Sequence, residues 1–522
     1  MVTTECEDTD TRQEQPTLHE TQGYEAVDVV QVNPTQVLRK ISRHLVLLFF
    51  VLALICYLDR ANLAFAASQL REDLHFSAST YGVGAGIFFP GYALFQIPSN
   101  LILVKVGAPI WLSCMLTLWG IVATLSAFIS SAAQFMTLRF LLGVAECGAF
   151  PGMWYHLSLF LDAGELGVAY TGITTASALS QVVGGPLAAA LLLLDGACGL
   201  HGWQWLFLCE GMPTIFFAVI LKVCLAPSPS TAKCLTPEER IWLQKRQDDA
   251  TAARHAASGH STITGGLMNW RVWYLGLVWL LMESALFGII FWCPQMIEAG
   301  FYGSHDEDHP ESLAPGEETR EWHDSKVALL SAAVFAPAAL AMLFNAHLSK
   351  KGQERHWHGC VPVFAAGICL GLMPVADTLL GFRASFVLLI LGAAGAWCIH
   401  GPLHSWPATF LQGNAAAAGT ALINSLGAVG GFIGPSLIGW LADDSDEDDY
   451  DAAMMTIGVF LMCAGVLMLG FPEPATLQAG NTGRSHQQSY SRYKEGNSEA
   501  EIETQPILEL IPWEPHWVAP HV

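Results

Sequence analysis

The long apolar stretches of this chain contain few charged side chains, and those present come in arginine–acid sets. Tyr57-Leu58-Asp59-Arg60 lies inside the first apolar run, and the fourth runs from Arg139 to Glu146. A charge in the middle of a membrane span is costly and tends to mark a substrate pathway or proton relay. Arg139 and Glu146 are seven residues apart, so they share one helix face at a spacing of about 10 Å. Two such sets in one half of the chain can form a small buried network. Desolvation and a nearby guanidinium act on a buried carboxylic acid in opposite directions, so proton loading and anion binding would compete for the same arginines. The plainer alternative is that both sets are static buried ion pairs or lie at the membrane edge, Arg139 being the nearer to the edge because its span begins near residue 132.

The elements that must hold these residues are apolar helices. The chain has 522 residues, of which 52% are hydrophobic and 13% charged; soluble domains usually carry about 25% charged residues. The net charge of −22 is concentrated in residues 1–36, 302–326, 442–451 and 472–522, leaving the rest nearly uncharged. So acidic a chain offers no footprint for nucleic acid, which needs basic patches. The 13 cysteines form no CxxC pair and sit mostly in apolar runs, which gives neither a disulfide framework nor a zinc site. Residues 1–36 do not have the basic and apolar layout of a signal peptide.

A helix needs roughly 20 apolar residues to cross a bilayer. Runs of that kind fall near 45–67, 80–103, 111–130, 132–157, 168–194 and 204–225, and again near 272–298, 326–348, 359–378, 383–406, 415–441 and 452–471. The expectation is an all-α membrane protein with twelve transmembrane helices in two six-helix bundles. Its parts would be an acidic cytosolic tail (1–43), a first bundle (44–225), a cytosolic linker (226–270), a second bundle (271–471) and a C-terminal cytosolic tail (472–522). The orientation follows from Arg39, Lys40, Arg43, Lys105, the basic residues of the linker, Lys350, Lys351 and Arg355 on one side. Only Arg71, Arg320, Lys326 and Arg383 stand on the other, and basic residues mark the cytosolic face. A repeat supports the division, since Gly185-Pro186 recurs as Gly434-Pro435 and the same offset carries Gly143 to Gly392 and Gly152 to Gly401. Repeated halves around a central site are a recurrent transporter plan.

The stretches "YLDRANLAFA", "GIFFPGYALFQIPSNLIL", "RFLLGVAECGAFPG", "WQWLFLCEGMPT" and "AAAAGTALINSLGAVGGFIGPSLIGWL" resemble the anion:cation symporter family of the major facilitator superfamily. The resemblance runs from about residue 44 to 471 and looks nearest to permeases for tartrate, phthalate, sugar acids and 4-hydroxyphenylacetate. It implies the major facilitator fold, alternating access around a central site, and proton-coupled symport of a mono- or dicarboxylate. By this resemblance Tyr57 and Arg60 meet the substrate anion, with Arg139, Gln181 and Asn424 as further contacts. Asp59 and Glu146 exchange the protons.

The chain departs from relatives at several positions. His404 takes the place of a cavity tryptophan and is expected to contact substrate. Gln96 replaces a common glutamate. Glu283 stands deep in the seventh span where relatives are apolar, either as a further coupling acid or as a residue bonded within the bundle. Glu210 reads as structural, and Tyr92 and Trp119 as packing. The partners expected are a small organic anion, protons and membrane lipid, with no nucleic acid, no cofactor, no metal and a monomeric state. The plasma membrane is the expected location, with a vacuolar or endosomal membrane as the alternative. No nucleophile–base pair suggests an enzyme. Proton-independent uniport or exchange, or a non-transporting nutrient sensor on the same scaffold, are the remaining alternatives.

Overall fold

The computed structural model of the protein describes residues 32–257, 262–302, 320–352, 356–400, 403, 406–411, 413–443 and 450–471. His404, most of the acidic stretches at 302–326 and 442–451, and most of both tails lie outside the described residues. The described chain is helical throughout. Among the described residues, nine helices are long and apolar enough to cross a membrane, or ten when the bent pair His356–Gly371 and Met373–Leu380 forms one span. The two remaining predicted spans are shorter: the fourth is split into Ala132–Glu146 and Ala149–Ser158, and the tenth is Phe382–Trp397.

The first span is Leu47–Leu74, preceded without a break by a π-helical turn and the helix Pro34–Ile41. It passes its predicted end and stops at His75, whose left-handed conformation (φ 52°) lets the Phe76 N–H reach the Arg71 carbonyl at 2.9 Å. That bond satisfies one of the carbonyls a helix end leaves open. Ser77 caps the second span, Ala78–Val106, by accepting from Thr80 N. The third is Ala108–Ser126, the fifth Ala163–Leu192 and the sixth Gly202–Cys224. In the second half the seventh is Trp270–Tyr302, the eighth Arg320–Gly352, the eleventh Gly413–Asp443 and the twelfth Asp451–Gly470. Many large apolar side chains, such as Leu94, Phe216 and Leu340, remain exposed around the periphery, as a lipid-facing surface requires.

Where the two sets of six meet, the fifth span lies on the eighth and the eleventh on the second. A Cβ at Gly185 would stand 2.5 Å from the Ala328 carbonyl oxygen, and one at Gly82 would stand 2.4 Å from that of Pro435. Both contacts require glycine, and they involve the residues of the repeat. Hydrogen bonds across the halves gather at the end opposite the linker. Gln69 Nε2 donates to Asp324 Oδ2 (2.6 Å), Arg71 Nη1 to Gln295 Oε1 (3.1 Å), and Ser68 Oγ to Glu298 Oε1 (3.0 Å). Tyr81 Oη of the second span donates to the Phe291 carbonyl of the seventh at 3.1 Å. That end is closed.

Gly82→Val is therefore expected to hold the closed end apart, since backbone rather than a flexible side chain occupies the space its Cβ needs. Labelling of a cysteine introduced at Ser68 by an impermeant maleimide should then speed up severalfold over the native-cysteine background. Unchanged labelling would show that the second and eleventh spans do not control this end.

Candidate functional site

The first and fourth spans bring their charges together inside the first half. Gly143 makes this possible, because a Cβ there would stand 2.0 Å from the Phe88 carbonyl oxygen. The fourth span consequently presses on the second, one turn from Arg139 and less than one from Glu146. The break at Cys147-Gly148 follows immediately, with Gly148 set against Ser99.

The resulting pairs are crossed. Arg60 Nη2 donates to Glu146 Oε2 at 2.8 Å, and Arg139 Nη1 lies 3.9 Å from Asp59 Oδ2. Each arginine thus faces the acid of the other helix. Asp59, Arg139 and Glu146 are each 1% exposed, whereas Arg60 is 7% exposed. Arg139 is fully interior, not at the edge position that the plainer alternative allowed, because its span is held deep against the second. Taking charges out of water is expensive unless they are paired and hydrogen-bonded, and here the satisfaction is incomplete. Asp59 Oδ2, Glu146 Oε1, Arg60 Nε and all three guanidinium nitrogens of Arg139 are buried without a hydrogen-bond partner. Trp119 stands beside Asp59, so it belongs to the network's wall as well as to the core.

Aromatic rings enclose the arginines. Phe88 lies 5.1 Å from Arg60 Cζ and 5.4 Å from Arg139 Cζ. Tyr57, Tyr92 and Phe150 complete the surround of Arg60 at 5.4–6.0 Å. Such rings stabilise a cation without neutralising it. Phe88 and Phe150 carry no charge or motif of their own that marks them in the sequence, and Tyr92 lines the site as well as packing. The run of aromatics from Phe88 to Tyr92 was the available signal.

The remaining expected residues fall at different depths. Tyr57 is half-buried and packs on Phe150 at 5.4 Å. Gln181 is buried in the fifth span, whose Gly184 abuts Leu58 of the first. Asn424 of the eleventh span is exposed. Glu283 of the seventh span is partly exposed, lies within electrostatic range of Arg60 and Tyr57 across the two halves, and packs its Cγ near Gly427. It therefore turns towards the first half and its arginine, an orientation the sequence left open. No group of three metal-ligating side chains occurs among the described residues.

Comparisons with known proteins agree with this architecture. The sequence profile of the Major Facilitator Superfamily matches residues 49–435, with a second match at 312–517. A protein of Agrobacterium vitis named "Putative tartrate transporter" is 40% identical over 446 residues, covering 85% of this chain and 97% of the relative. A protein of Pseudomonas putida named "Putative metabolite transport protein NicT" is 33% identical, over 80% of this chain and 90% of its own. The inner membrane transport protein RhmT of Escherichia coli is 32% identical, over 74% and 85%. Among solved structures, inward-open XylE of E. coli superposes with a TM-score of 0.64 at 14% identity, covering 83% of this chain and 97% of that one. A bacterial homologue of the lysosomal transporter Spinster, inward-facing, gives 0.62 at 16%, covering 82% and 96%. An apolar helical bundle with a charged core, matched along most of its length by transporters, leaves no place for an enzyme: the chain belongs to the Major Facilitator Superfamily and is a multi-pass membrane transporter.

Proposed function

We propose that this transporter carries a small organic mono- or dicarboxylate together with protons, by alternating access between bundles 44–225 and 271–471. The observation that carries the reading is the crossed pair of buried salt bridges, in which Arg60 is held by Glu146 alone and is the more accessible arginine. A substrate carboxylate arriving at Arg60 competes with Glu146 for the same N–H groups. Glu146 then takes a proton, because an ionised carboxylate without its cation is costly in this setting. Asp59 and Arg139 form the second exchange. Tyr57, Gln181, Asn424 and His404 are assigned to the substrate's remaining polar groups, and Glu283 faces it from the second half.

The relatives named for tartrate and other metabolites support a hydroxylated carboxylate as the cargo class. The basic residues beside the linker support cytosolic termini, and the closed opposite end then makes this an inward-facing state. The plasma membrane is the location assigned, and one subunit contains the whole site.

Binding is tested by a thermal-shift series of organic acids, tartrate included, since a ligand of the folded state raises its apparent stability. Arg60→Lys should weaken binding roughly tenfold or more, because lysine lacks the planar fork that grips a carboxylate at two points and a charge-assisted hydrogen bond is worth about 1.5–3 kcal/mol. Wild-type affinity in Arg60→Lys would remove Arg60 from the substrate site.

A further inference from the structure

Glu210 of the sixth span reads in the sequence as a structural residue, and its surroundings support a further role. It is 7% exposed, and neither carboxyl oxygen has a hydrogen-bond partner. Its position follows from helix register. Trp203 N donates to Gln69 Oε1 at 3.0 Å, tying the outer turns of the sixth and first spans together. Two turns inward along both antiparallel helices, about 10.5 Å, sets Glu210 opposite Asn62, whose side chain stands beside it. One turn further along the first span is Asp59. Glu210 also lies within electrostatic range of Asp59, Arg139 and Glu146.

The charged groups facing Glu210 can be named from each element packed on it. The first span presents Asp59, and the fourth presents Arg139 and Glu146. The third span, which meets the sixth through Gly120 and Gly211, contains no charged residue. The one carboxylate of the fifth span, Glu165, sits at its linker end and is bound by Arg246 at 2.7 Å. Within the first half the buried network therefore has three acids, Asp59, Glu146 and Glu210, and two cations, Arg60 and Arg139; Glu283 faces Arg60 from the second half. Arg60 is committed to Glu146 at 2.8 Å, while Arg139 holds Asp59 only loosely at 3.9 Å and keeps unfilled donors. One acid in excess cannot stay ionised in such a site at tolerable cost, so the network retains a proton.

We infer that Asp59 and Glu210 share that single proton, with Arg139 pairing with whichever of the two is ionised. When the proton passes from the Glu210 carboxyl to the Asp59 carboxylate, Glu210 becomes the anion and Arg139 follows it. Asp59 is neutralised in that step without an ionised acid losing its cation. Glu210 is thus a positioning residue for the exchange at Asp59. This rests on the proton-coupled reading for its purpose, but its test needs no substrate.

The test is infrared spectroscopy of the reconstituted protein at neutral pH, reading the band of protonated buried carboxyls. Asp59→Asn and Glu210→Gln should each remove the same single carboxyl from that band, since either leaves two acids for two arginines, and the double variant should remove nothing more. Arg139→Met should add one, because both members of the pair must then be protonated. An unchanged band in Asp59→Asn would overturn the inference, as it would show a Glu210 proton independent of Asp59. An unchanged band in Glu210→Gln would do the same. If Glu210→Gln does not fold, the loss in Asp59→Asn and the gain in Arg139→Met decide alone. Failure of pH-driven transport with these band counts intact would instead count against the coupling reading.

Discussion

Glu146→Gln and Asp59→Asn are expected to abolish pH-driven accumulation of substrate while leaving exchange of substrate between the two sides of the membrane intact. Each replacement resembles the proton-loaded state permanently. In Glu146→Gln the Arg60 guanidinium, held in the native protein at 2.8 Å by Glu146, loses its hydrogen-bonded anion and becomes available to a carboxylate. Substrate can therefore bind and the loaded carrier can turn over in both directions. What is lost is the step in which a deprotonated acid recaptures the arginine and ejects the substrate. Without it, a gradient of one pH unit, which can drive accumulation by up to about tenfold per coupled proton, drives none through that site. Proteoliposomes with labelled substrate on one or both sides separate the two activities. Static salt bridges would lose both or neither. If both variants still accumulate substrate, the coupling role passes to Glu283, the acid that faces Arg60 from the second half.

The second large effect is on stability. Arg139→Met removes the guanidinium nearest Asp59, in a place where both residues are 1% exposed. Breaking a buried pair from one side costs about 3–5 kcal/mol. The lower end, about 3 kcal/mol, applies here because the abandoned carboxyl can take up a proton instead of remaining charged. Asp59→Asn added to Arg139→Met should recover much of that loss, because the double variant leaves no uncompensated charge. Thermal unfolding in detergent measures both. Additive losses in the double variant would mean that Asp59 and Arg139 do not interact.

The helical membrane fold was legible because its signal is local: apolar runs of bilayer length, with basic residues concentrated on one side. The charged residues were legible for a related reason, since Asp59, Arg60, Arg139 and Glu146 interrupt runs that should contain no charge. Their pairing was not legible. Neighbours in sequence suggested sets within each helix, whereas Arg60 pairs with Glu146 and Arg139 with Asp59. That crossing depends on how closely the fourth span approaches the second at Gly143, a contact between residues far apart in the chain. The choice between a buried and an edge position for Arg139 depends on the same contact. Distance from a span's first residue measures depth along one helix but not how neighbouring helices cover it.

Glu210 shows the limit more sharply. Eight residues from the start of its span, it looks peripheral, and only the register fixed by Gln69 and Trp203 places it with Asn62 and Asp59. The split of the fourth span was likewise hidden, because Gly148 next to Cys147 reads as apolar in any sum over the run. Glu283 could be singled out by type but not oriented, since the face it presents is set by packing against Gly427 of the eleventh span.

The central claim is that a substrate carboxylate and a proton arrive together because the carboxylate takes Arg60 from Glu146. Proton uptake on binding tests it directly. Weakly buffered, detergent-purified protein is mixed with saturating tartrate, or with the acid that the thermal series selects, and the pH change is recorded. Binding and protonation are linked, so the account predicts uptake of about one proton per substrate bound by the wild type. It predicts none in Glu146→Gln, despite binding by that variant. Binding by the wild type with no proton uptake, or equal uptake by Glu146→Gln, would contradict it.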